Sequence, residues 1–389
     1  MTYMARPVDL FGHPSESRRS LAARTGVLPS QAIRKLIQDK EIFVEGERWE
    51  SASQVQPASL DLRLGPVAYR IRASFLAGEG RTVESKLSEL QYHEIDLTKG
   101  AVLETDCVYL VPLLERLKLR SSLSAIANPK SSTGRLDVFT RLIADGTNSF
   151  DYVPPRYEGP LYIEISPRTF SIYVRQGSRL NQLRLLRRTP RQQPDKRFVS
   201  DARLEALHSE TPLVDRNFTV RNGLNLRVDL APGGDKLIGY KAKRYAGVID
   251  VDAAGKYETS KFWEKIYDDD HGQLILDPHE FYILASKELV VVPAHYAAEM
   301  APFDPMMGEY RVHYAGFFDP GFGIVEGKRR GAKAVLEVRS LDIPFVLEDG
   351  QIIGRLVYER LAHAPDVLYG ASLKSNYQGQ GLKLSKHFK

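Results

Sequence analysis

The stretch LYIEIS at residues 161–166 decides the fold class, because it is a short run of β-branched and aromatic residues bounded by Gly-Pro and Pro. Four other runs share this character: SLDLRLG (59–65), VAYRIRASF (67–75), CVYLVPLL (107–114) and FSIYV (170–174). Gly, Pro, Asn and Asp separate the runs, which is typical of an all-β barrel or sandwich. We therefore expect a mainly β fold.

One helix is predicted before the first of these strands. Ser30 is placed to cap it, and the following apolar residues keep roughly helical spacing: Ile33, Leu36, Ile37 and Ile42. Residues 1–27 show no clear periodicity and are assigned to an N-terminal extension.

The chain of 389 residues is about twice as long as one compact domain, and it contains an internal repeat. SAIANPKSSTGRLDV (124–138) aligns with AEMAPFDPMMGEYRV (298–312) at an offset of 174 residues. The basic, proline-containing stretch RRTPRQQPDKRF (187–198) is the best linker candidate. We predict two tandem barrels, at residues 28–190 and 191–389.

Composition excludes several classes of protein. The single cysteine, Cys107, rules out an intrachain disulfide, the usual structural zinc sites and the zinc nucleobase deaminases, and it is expected to be a small buried residue. The net charge of +5 suits an anionic small molecule as well as a nucleic acid. No stretch has the length and apolarity of a signal peptide or a membrane span, so a cytoplasmic protein without a membrane partner is expected.

The segment Lys130–Arg135, KSSTGR, combines two cations, three hydroxyls and a glycine. Such a segment suits a phosphate cradle, although a plain solvated turn has a similar composition. At the aligned positions of the second copy, Asp304 and Glu309 replace the two cations while Gly308 is kept. This one-sided change favours a phosphate site kept in the first copy and lost in the second.

A glutamate lies in the middle of one apolar strand in each half. These residues are Glu164 and Glu337. A central carboxylate is costly unless it is paired, functional or turned outward to solvent. Only the second half has a compact turn, FFDPGF at residues 317–322.

These motifs, taken in order, resemble the dCTP deaminases of the trimeric dUTPase fold. KSSTGR resembles the family's phosphate motif, FFDPGF its Asp-Pro-Gly hairpin and Val335–Glu337 its Val-Leu-Glu strand. LYGASLKSNYQGQG (368–381) resembles its nucleotide-closing tail. The resemblance implies two tandem dUTPase-like barrels of jelly-roll type with a few short helices. In that fold the phosphate motif and the hairpin of one site come from different subunits, so we expect one composite site between the two halves.

The resemblance also implies hydrolysis of dCTP to dUTP and ammonia without a metal at the base, supplying dUTP for dUMP and dTTP synthesis. A glutamate would be the general base, with Glu337 favoured over Glu164, and Ser131 and Arg135 would act beside it. The implied substrate-binding residues are Lys130, Ser131, Ser132, Thr133, Gly134, Arg135, Gln182, Asp319, Val335, Leu336, Tyr369, Lys374, Tyr377 and Gln380.

Cofactor and partner expectations follow from the same resemblance. Mg²⁺ would be bound through the triphosphate, with no zinc. The partners would be dCTP, dTTP as an inhibitor and further copies of the chain in a homo-oligomer, with no nucleic acid. Two alternatives stay open: a dUTPase or bifunctional deaminase and diphosphatase, and a non-catalytic nucleotide-sensing protein.

Overall fold

The computed structural model describes residues 24–46, 49, 52–189, 194–234, 236–268, 270–302, 310–312, 316–325, 328–340, 342–370, 377 and 379–389. Its helices are α1 (Ser30–Gln38), α2 (Val83–Leu90), α3 (Ser131–Gly134), α4 (Asp201–Glu210) and α5 (Thr259–Phe262), with 3₁₀ turns at Ala52–Gln54 and Pro194–Arg197. None of these described helices has the length and apolarity that a bilayer crossing needs.

The strands of the first half are β1 (Gly26–Val27), β2 (Ile42–Val44), β3 (Leu60–Leu62), β4 (Val67–Ile71), β5 (Gln91–Asp96), β6 (Ala101–Leu103), β7 (Val108–Lys118), β8 (Leu123–Pro129), β9 (Val138–Ala144), β10 (Tyr152–Val153), β11 (Glu158–Pro167), β12 (Ser171–Val174) and β13 (Asn181–Arg187). Those of the second half are β14 (Leu224–Arg227), β15 (Leu237–Ala242), β16 (Val248–Asp250), β17 (Trp263–Tyr267), β18 (Gln273–Leu276), β19 (Phe281–Val290), β20 (Tyr296–Pro302), β21 (Tyr310–Val312), β22 (Phe317–Phe318), β23 (Ile324–Val325), β24 (Lys328–Arg329), β25 (Ala332–Ser340), β26 (Phe345–Glu348) and β27 (Ile352–Arg360).

Each half contains two main antiparallel sheets around an apolar core. In the first half the strand orders are β1-β13-β8-β10 and β5-β4-β7-β11-β9. The second half repeats them as β14-β27-β20-β22 and β17-β15-β19-β25-β21. The predicted mainly β fold of two tandem barrels is confirmed.

The strand register corrects the offset of the repeat. Leu183 pairs with Ala127 and Leu356 pairs with Met300, so both partners are displaced by 173 residues rather than 174. At this offset Lys130 and Arg135 stand opposite Phe303 and Gly308, so the expected acidic replacements at Asp304 and Glu309 are not supported. Residues 303–309 lie outside the described residues.

Buried ion pairs repeat along with the strands. Arg63 pairs with Glu115 in the first half, and Arg227 pairs with Glu288 in the second. In both cases the arginine backbone N–H also donates to the glutamate. The two halves are thus copies of one unit at the level of single contacts.

The two halves contact each other through one strand pair and through a common apolar core. Strand β12 pairs in parallel with β16 and joins the two halves. Leu384 and Trp263 belong to the buried core of the first half, and Phe388 packs against it. Residues 26 and 27, assigned by sequence to the extension, form β1 against β13. The exact boundaries at 27/28 and 190/191 stay a prediction.

Three local expectations were wrong. Helix α1 has Pro29 at its N-cap with no side-chain cap, and the Ser30 hydroxyl donates to Asp366 instead. Ile42 lies in β2 rather than in the helix, because the helix ends at Gln38. Cys107 is only half-buried and precedes β7.

Candidate functional site

A cavity of about 220 Å³ lies between the two halves. The first half contributes Gln56, Asp61, Pro129, Lys130, Ser131, Ser132, Arg135 and Gln182. The second half contributes Met300, Gly316, Phe317, Phe318, Asp319, Phe322, Val335, Glu337, Tyr369, Tyr377, Gln380 and Lys386. KSSTGR and FFDPGF therefore face one cavity, as the composite-site hypothesis requires.

The phosphate motif is shaped by one tight turn. Lys130 ends an extended segment, and its carbonyl oxygen accepts hydrogen bonds from the N–H groups of Thr133 (2.8 Å) and Gly134 (2.9 Å). This turn places Ser131 and Ser132 on the cavity wall. Thr133 and Gly134 are buried and do not line the cavity, so they shape the loop instead.

The Arg135 side chain contacts three residues from the C-terminal part of the chain. Its Nη1 donates to Gln380 Oε1 at 3.1 Å and to the Lys383 carbonyl at 2.9 Å. The guanidinium carbon lies 4.0 Å from the centre of the Tyr377 ring. These contacts come from residues far along the chain, so Arg135 fastens the predicted tail to the phosphate motif.

Glu337 lies on β25 in the wall of the cavity. Its Oε1 is 3.8 Å from Arg135 Nε, which is itself buried without a hydrogen-bond partner. Burial raises the pKa of Glu337 to about 8, and the nearby Arg135 opposes this rise. Near neutral pH such a carboxyl exists in both protonation states, so it can accept a proton and return it.

Asp319 lies in the hairpin after β22. The turn is closed by Gly321 at φ +94°, where a Cβ would lie 2.9 Å from the Leu368 side chain. Burial raises the pKa of Asp319 to about 6, while Arg184, the Ala58 N–H and Lys130 favour its charged form. Its Oδ1 is buried without a hydrogen-bond partner. A ligand hydroxyl or a hydrated cation would satisfy this oxygen.

The remaining predicted residues fall into three groups. Gln182, Val335, Tyr369, Tyr377 and Gln380 line the cavity. Leu336 does not, since it is fully buried in the core of the second half. Lys374 lies outside the described residues.

Glu164 does not line this cavity. It lies on β11 at the position that matches Glu337, and Arg141 on the neighbouring strand holds it by contacts of 2.5 and 3.0 Å. Val153 pairs with Ala125 as Phe318 pairs with Ala298, so Pro154 stands where the second half has Asp319. The first-half copy therefore has a paired glutamate and lacks the hairpin carboxylate.

Several cavity residues were missed by sequence reasoning. Asp61 pairs with Lys130 and leaves its Oδ1 buried without a hydrogen-bond partner. The fragment LDLRLG, which contains Asp61, indicates a strand and gives no sign that this carboxylate lines a site. Lys386 gave no signal in the sequence, because its position depends on contacts between distant segments.

Residues 382–389 form a segment that supports the phosphate motif. The Ser385 hydroxyl donates to the Ser132 carbonyl at 2.8 Å and contacts His387 Nδ1 at the same distance. His387 Nε2 lies 2.8 Å from the Val251 carbonyl, and burial lowers the pKa of His387 to about 4. The neutral imidazole thereby bridges this segment to the loop after β16.

Among the residues that the structure describes, no group of three or more His, Cys, Asp or Glu side chains is arranged to hold a metal ion. The oxygens that suit a hydrated cation in the cavity are Asp61 Oδ1 and Asp319 Oδ1.

Comparison with known proteins matches both halves of the chain to one family. Residues 24–189 match the model of the 2'-deoxycytidine 5'-triphosphate deaminase N-terminal domain, and residues 200–388 match that of its C-terminal domain. A crystal structure of 2'-deoxycytidine 5'-triphosphate deaminase from Agrobacterium tumefaciens superposes with a TM-score of 0.81 at 51% identity, covering 87% of this chain and 99% of that one.

Curated relatives match shorter parts of the chain. The dUMP-forming dCTP deaminase of Nanoarchaeum equitans is 29% identical over 182 residues, which is 42% of this chain and 85% of that protein. The dUMP-forming dCTP deaminase of Coprothermobacter proteolyticus is 31% identical over 146 residues, which is 36% of this chain and 70% of that protein. Each of these alignments spans less than half of this chain.

Proposed function

The chain belongs to the dCTP deaminase family, and from this membership we propose that the cavity between its halves hydrolyses dCTP to dUTP and ammonia with Glu337 as the general base. One observation carries the assignment of the base. Glu337 is a buried carboxyl beside Arg135, in the same cavity as KSSTGR, whereas its counterpart Glu164 is held by Arg141 elsewhere.

The triphosphate would bind at the end of the cavity where Lys130 and Lys386 lie. Burial and the neighbouring Lys130 lower the pKa of Lys386, so the two cations are close enough to repel each other. An anion between them removes this repulsion. The Ser131 and Ser132 hydroxyls line the same wall and supply further donors.

Deamination requires water to attack C4 of the cytosine. Glu337 in its ionised form takes one proton from the water as the C–O bond forms. One water proton ends on N3 and the other on the amino group, which leaves as ammonia when the C–N bond breaks. We propose that Ser131 holds the water and that Arg135 stabilises the charge that develops beside Glu337. Proton transfer of this kind accelerates a reaction by roughly 10²- to 10⁴-fold.

Mg²⁺ would enter as part of the substrate, bound to the triphosphate. It would neutralise phosphate charge that Lys130 and Lys386 alone would otherwise have to balance. Asp61 and Asp319 line the cavity, and their buried, unpartnered oxygens would accept hydrogen bonds from the waters of such a hydrated ion. A resident zinc ion has no part in this proposal.

A bifunctional enzyme is the second candidate. The observation in its favour is the buried, unpartnered oxygen of Asp319, which could orient a water molecule toward a phosphate. The curated relatives named above are themselves called dUMP-forming. A non-catalytic sensor is disfavoured, because a phosphate cradle does not require a buried carboxyl with the raised pKa of Glu337.

Product analysis tests the proposal. Purified protein is incubated with dCTP and Mg²⁺, and ammonia, dUTP, dUMP and pyrophosphate are resolved over time. Ammonia and dUTP in equal amounts support the deaminase, whereas ammonia with dUMP and pyrophosphate supports the bifunctional enzyme. Formation of pyrophosphate without ammonia, or no turnover at all, would contradict both. Zinc chelation should leave ammonia release unchanged.

The cytoplasmic location, the homo-oligomeric state and inhibition by dTTP stay predictions. Size measurement in solution tests the second, and competition between dTTP and dCTP tests the third.

A further inference from the structure

Arg184 is a fully buried arginine at the junction of the two halves. It lies on β13 of the first half, between the core residues Leu183 and Leu185. A guanidinium cannot lose its charge by deprotonation, so burial at this position requires compensating contacts. Nearly all of these contacts come from the second half.

The guanidinium supports the hairpin that forms one wall of the cavity. Its carbon lies 3.8 Å from the centre of the Phe317 ring, and Nη2 lies 3.5 Å from the Phe318 carbonyl oxygen. Nη1 donates to the Ala298 carbonyl oxygen at 3.3 Å, on the strand that pairs with this hairpin. Arg184 does not line the cavity itself.

A buried glutamate of the second half, Glu359, also holds Arg184. Nη1 donates to Glu359 Oε2 at 2.7 Å, and both side chains are fully buried. Arg197 lies 2.8 Å from the other oxygen of Glu359. Two further carboxylates, Glu299 and Asp319, interact electrostatically with Arg184. Its charged neighbours therefore include Glu359, Glu299, Arg197 and Asp319.

Arg184 also acts on the charge of Asp319. Burial disfavours the ionised form of Asp319, Asp61 repels it, and Arg184, Lys130 and the Ala58 N–H stabilise it. Arg184 is therefore the buried cation that both contacts the hairpin and favours ionised Asp319 at its tip.

Resting on the proposed function, we propose that Arg184 is a positioning residue for deamination: from the first half, it holds the Phe317–Asp319 wall of the second half against the nucleotide. Phe317 and Phe318 line the cavity beside Asp319. A shift of this wall by a fraction of an ångström would move the sugar and base relative to Glu337. Misplacement on the scale of 1 Å can reduce rates by about a hundredfold.

Two variants test the proposal. Arg184→Met keeps much of the side-chain length and removes the charge, while Arg184→Lys keeps the charge without the planar guanidinium. For both, kcat and KM for dCTP are measured across pH together with the melting temperature. Arg227→Met is the matched control, because Arg227 pairs with the buried Glu288 entirely within the second half and does not line the cavity.

We expect Arg184→Met to lower kcat/KM for dCTP by on the order of tenfold to a hundredfold, with KM raised. On the acidic side of the pH profile, 1/KM of Arg184→Met should begin to fall at a higher pH than 1/KM of the wild type, because Asp319 loses a stabilising cation. We call this fall the acid limb. Arg184→Lys should keep the limb near its wild-type position while KM stays raised. Arg227→Met should lower the melting temperature and leave KM and the limb unchanged.

The contrary outcome is that Arg184→Met behaves like Arg227→Met, with reduced stability and unchanged KM and limb. If Arg184→Met does not fold, Arg184→Lys decides, and a wild-type KM in that variant overturns the proposal. Wild-type protein that releases no ammonia from dCTP would refute the proposed function, whereas normal wild-type turnover with unaffected Arg184 variants would refute only this inference.

Discussion

Glu164 and Glu337 occupy matching positions on repeated strands, yet their surroundings differ. Arg141 on β9 contacts Glu164 directly, whereas Glu337 lies 3.8 Å from Arg135 without a hydrogen bond between them. Glu164 is thus occupied by Arg141 away from the cavity, whereas the Glu337 carboxyl lines the cavity. The sequence showed both glutamates on apolar strands but not which of them had a close partner.

Replacing each glutamate with glutamine separates their roles. Glu337→Gln keeps the size of the side chain and removes the proton acceptor, so it should still bind dCTP while deamination falls by at least about 10²-fold. Glu164→Gln should keep wild-type turnover per folded molecule. Ammonia release and calorimetric binding of dCTP measure the two properties. Loss of turnover in Glu164→Gln alone would move the base into the first half.

Glu337→Gln and Glu164→Gln should have opposite effects on the melting temperature. The pKa of Glu337 is about 8 in the folded protein, above its ordinary value of 4.5, so the folded state holds an extra proton between these values. Stability therefore falls as pH rises through this window, and the non-titrating Glu337→Gln should melt higher than the wild type near pH 8. This advantage should vanish below about pH 4.5.

Glu164→Gln should instead melt lower than the wild type at neutral pH, because it leaves the Arg141 guanidinium without its carboxylate. Thermal melts of both variants and the wild type across pH check these signs. A lower melting temperature of Glu337→Gln near pH 8 would contradict the raised pKa.

At the scale of elements, periodicity and turn residues predicted the strands well. LYIEIS lies within β11 and CVYLVPLL largely within β7, because alternation and bounding prolines are local signals. The predicted helix cap at Ser30 was wrong, since the Ser30 hydroxyl donates to Asp366, a residue far along the chain that local signals cannot reveal. The segment 382–389 was missed as a part of the site for the same reason: its role depends on contacts with Ser132 and Arg135.

Two lysines of this segment provide a matched test. Lys386 lines the cavity, while Lys389 pairs with Glu258 on the surface at 2.8 Å. Lys386→Ala should raise KM for dCTP by about tenfold or more, since a hydrogen bond to a charged group contributes about 1.5–3 kcal/mol. Lys389→Ala should leave KM unchanged. Steady-state kinetics at fixed Mg²⁺ measure both, and equal effects would remove Lys386 from the triphosphate site.

For the molecule as a whole, the asymmetry of the halves predicts the number of sites. The cavity takes Lys130–Arg135 from one half and Asp319 and Glu337 from the other, while the first-half hairpin has Pro154 in place of Asp319. Titration calorimetry of Glu337→Gln should therefore give about one dCTP per chain. Two equivalent sites per chain would show that the first-half copy is also functional.

Removal of the phosphate motif should then abolish all turnover. We expect Arg135→Ala and Ser131→Ala to reduce ammonia release to background, because both residues line the cavity that also holds Glu337. Gln56→Ala, at a cavity-lining residue outside the phosphate motif, is the milder control and should retain most activity. Substantial turnover in Arg135→Ala would mean that another part of the chain supplies a cation.

The segment 382–389 also has a consequence for biosynthesis. Leu384 and Phe388 complete the apolar core of the first half, although they are translated after the entire second barrel. A nascent chain that has emerged only as far as the linker therefore exposes an unfilled core and lacks Lys386. The contacts of Leu384, Phe388 and Lys386 form only after nearly two barrels of polypeptide have left the ribosome, so the growing chain cannot assemble the cavity until then.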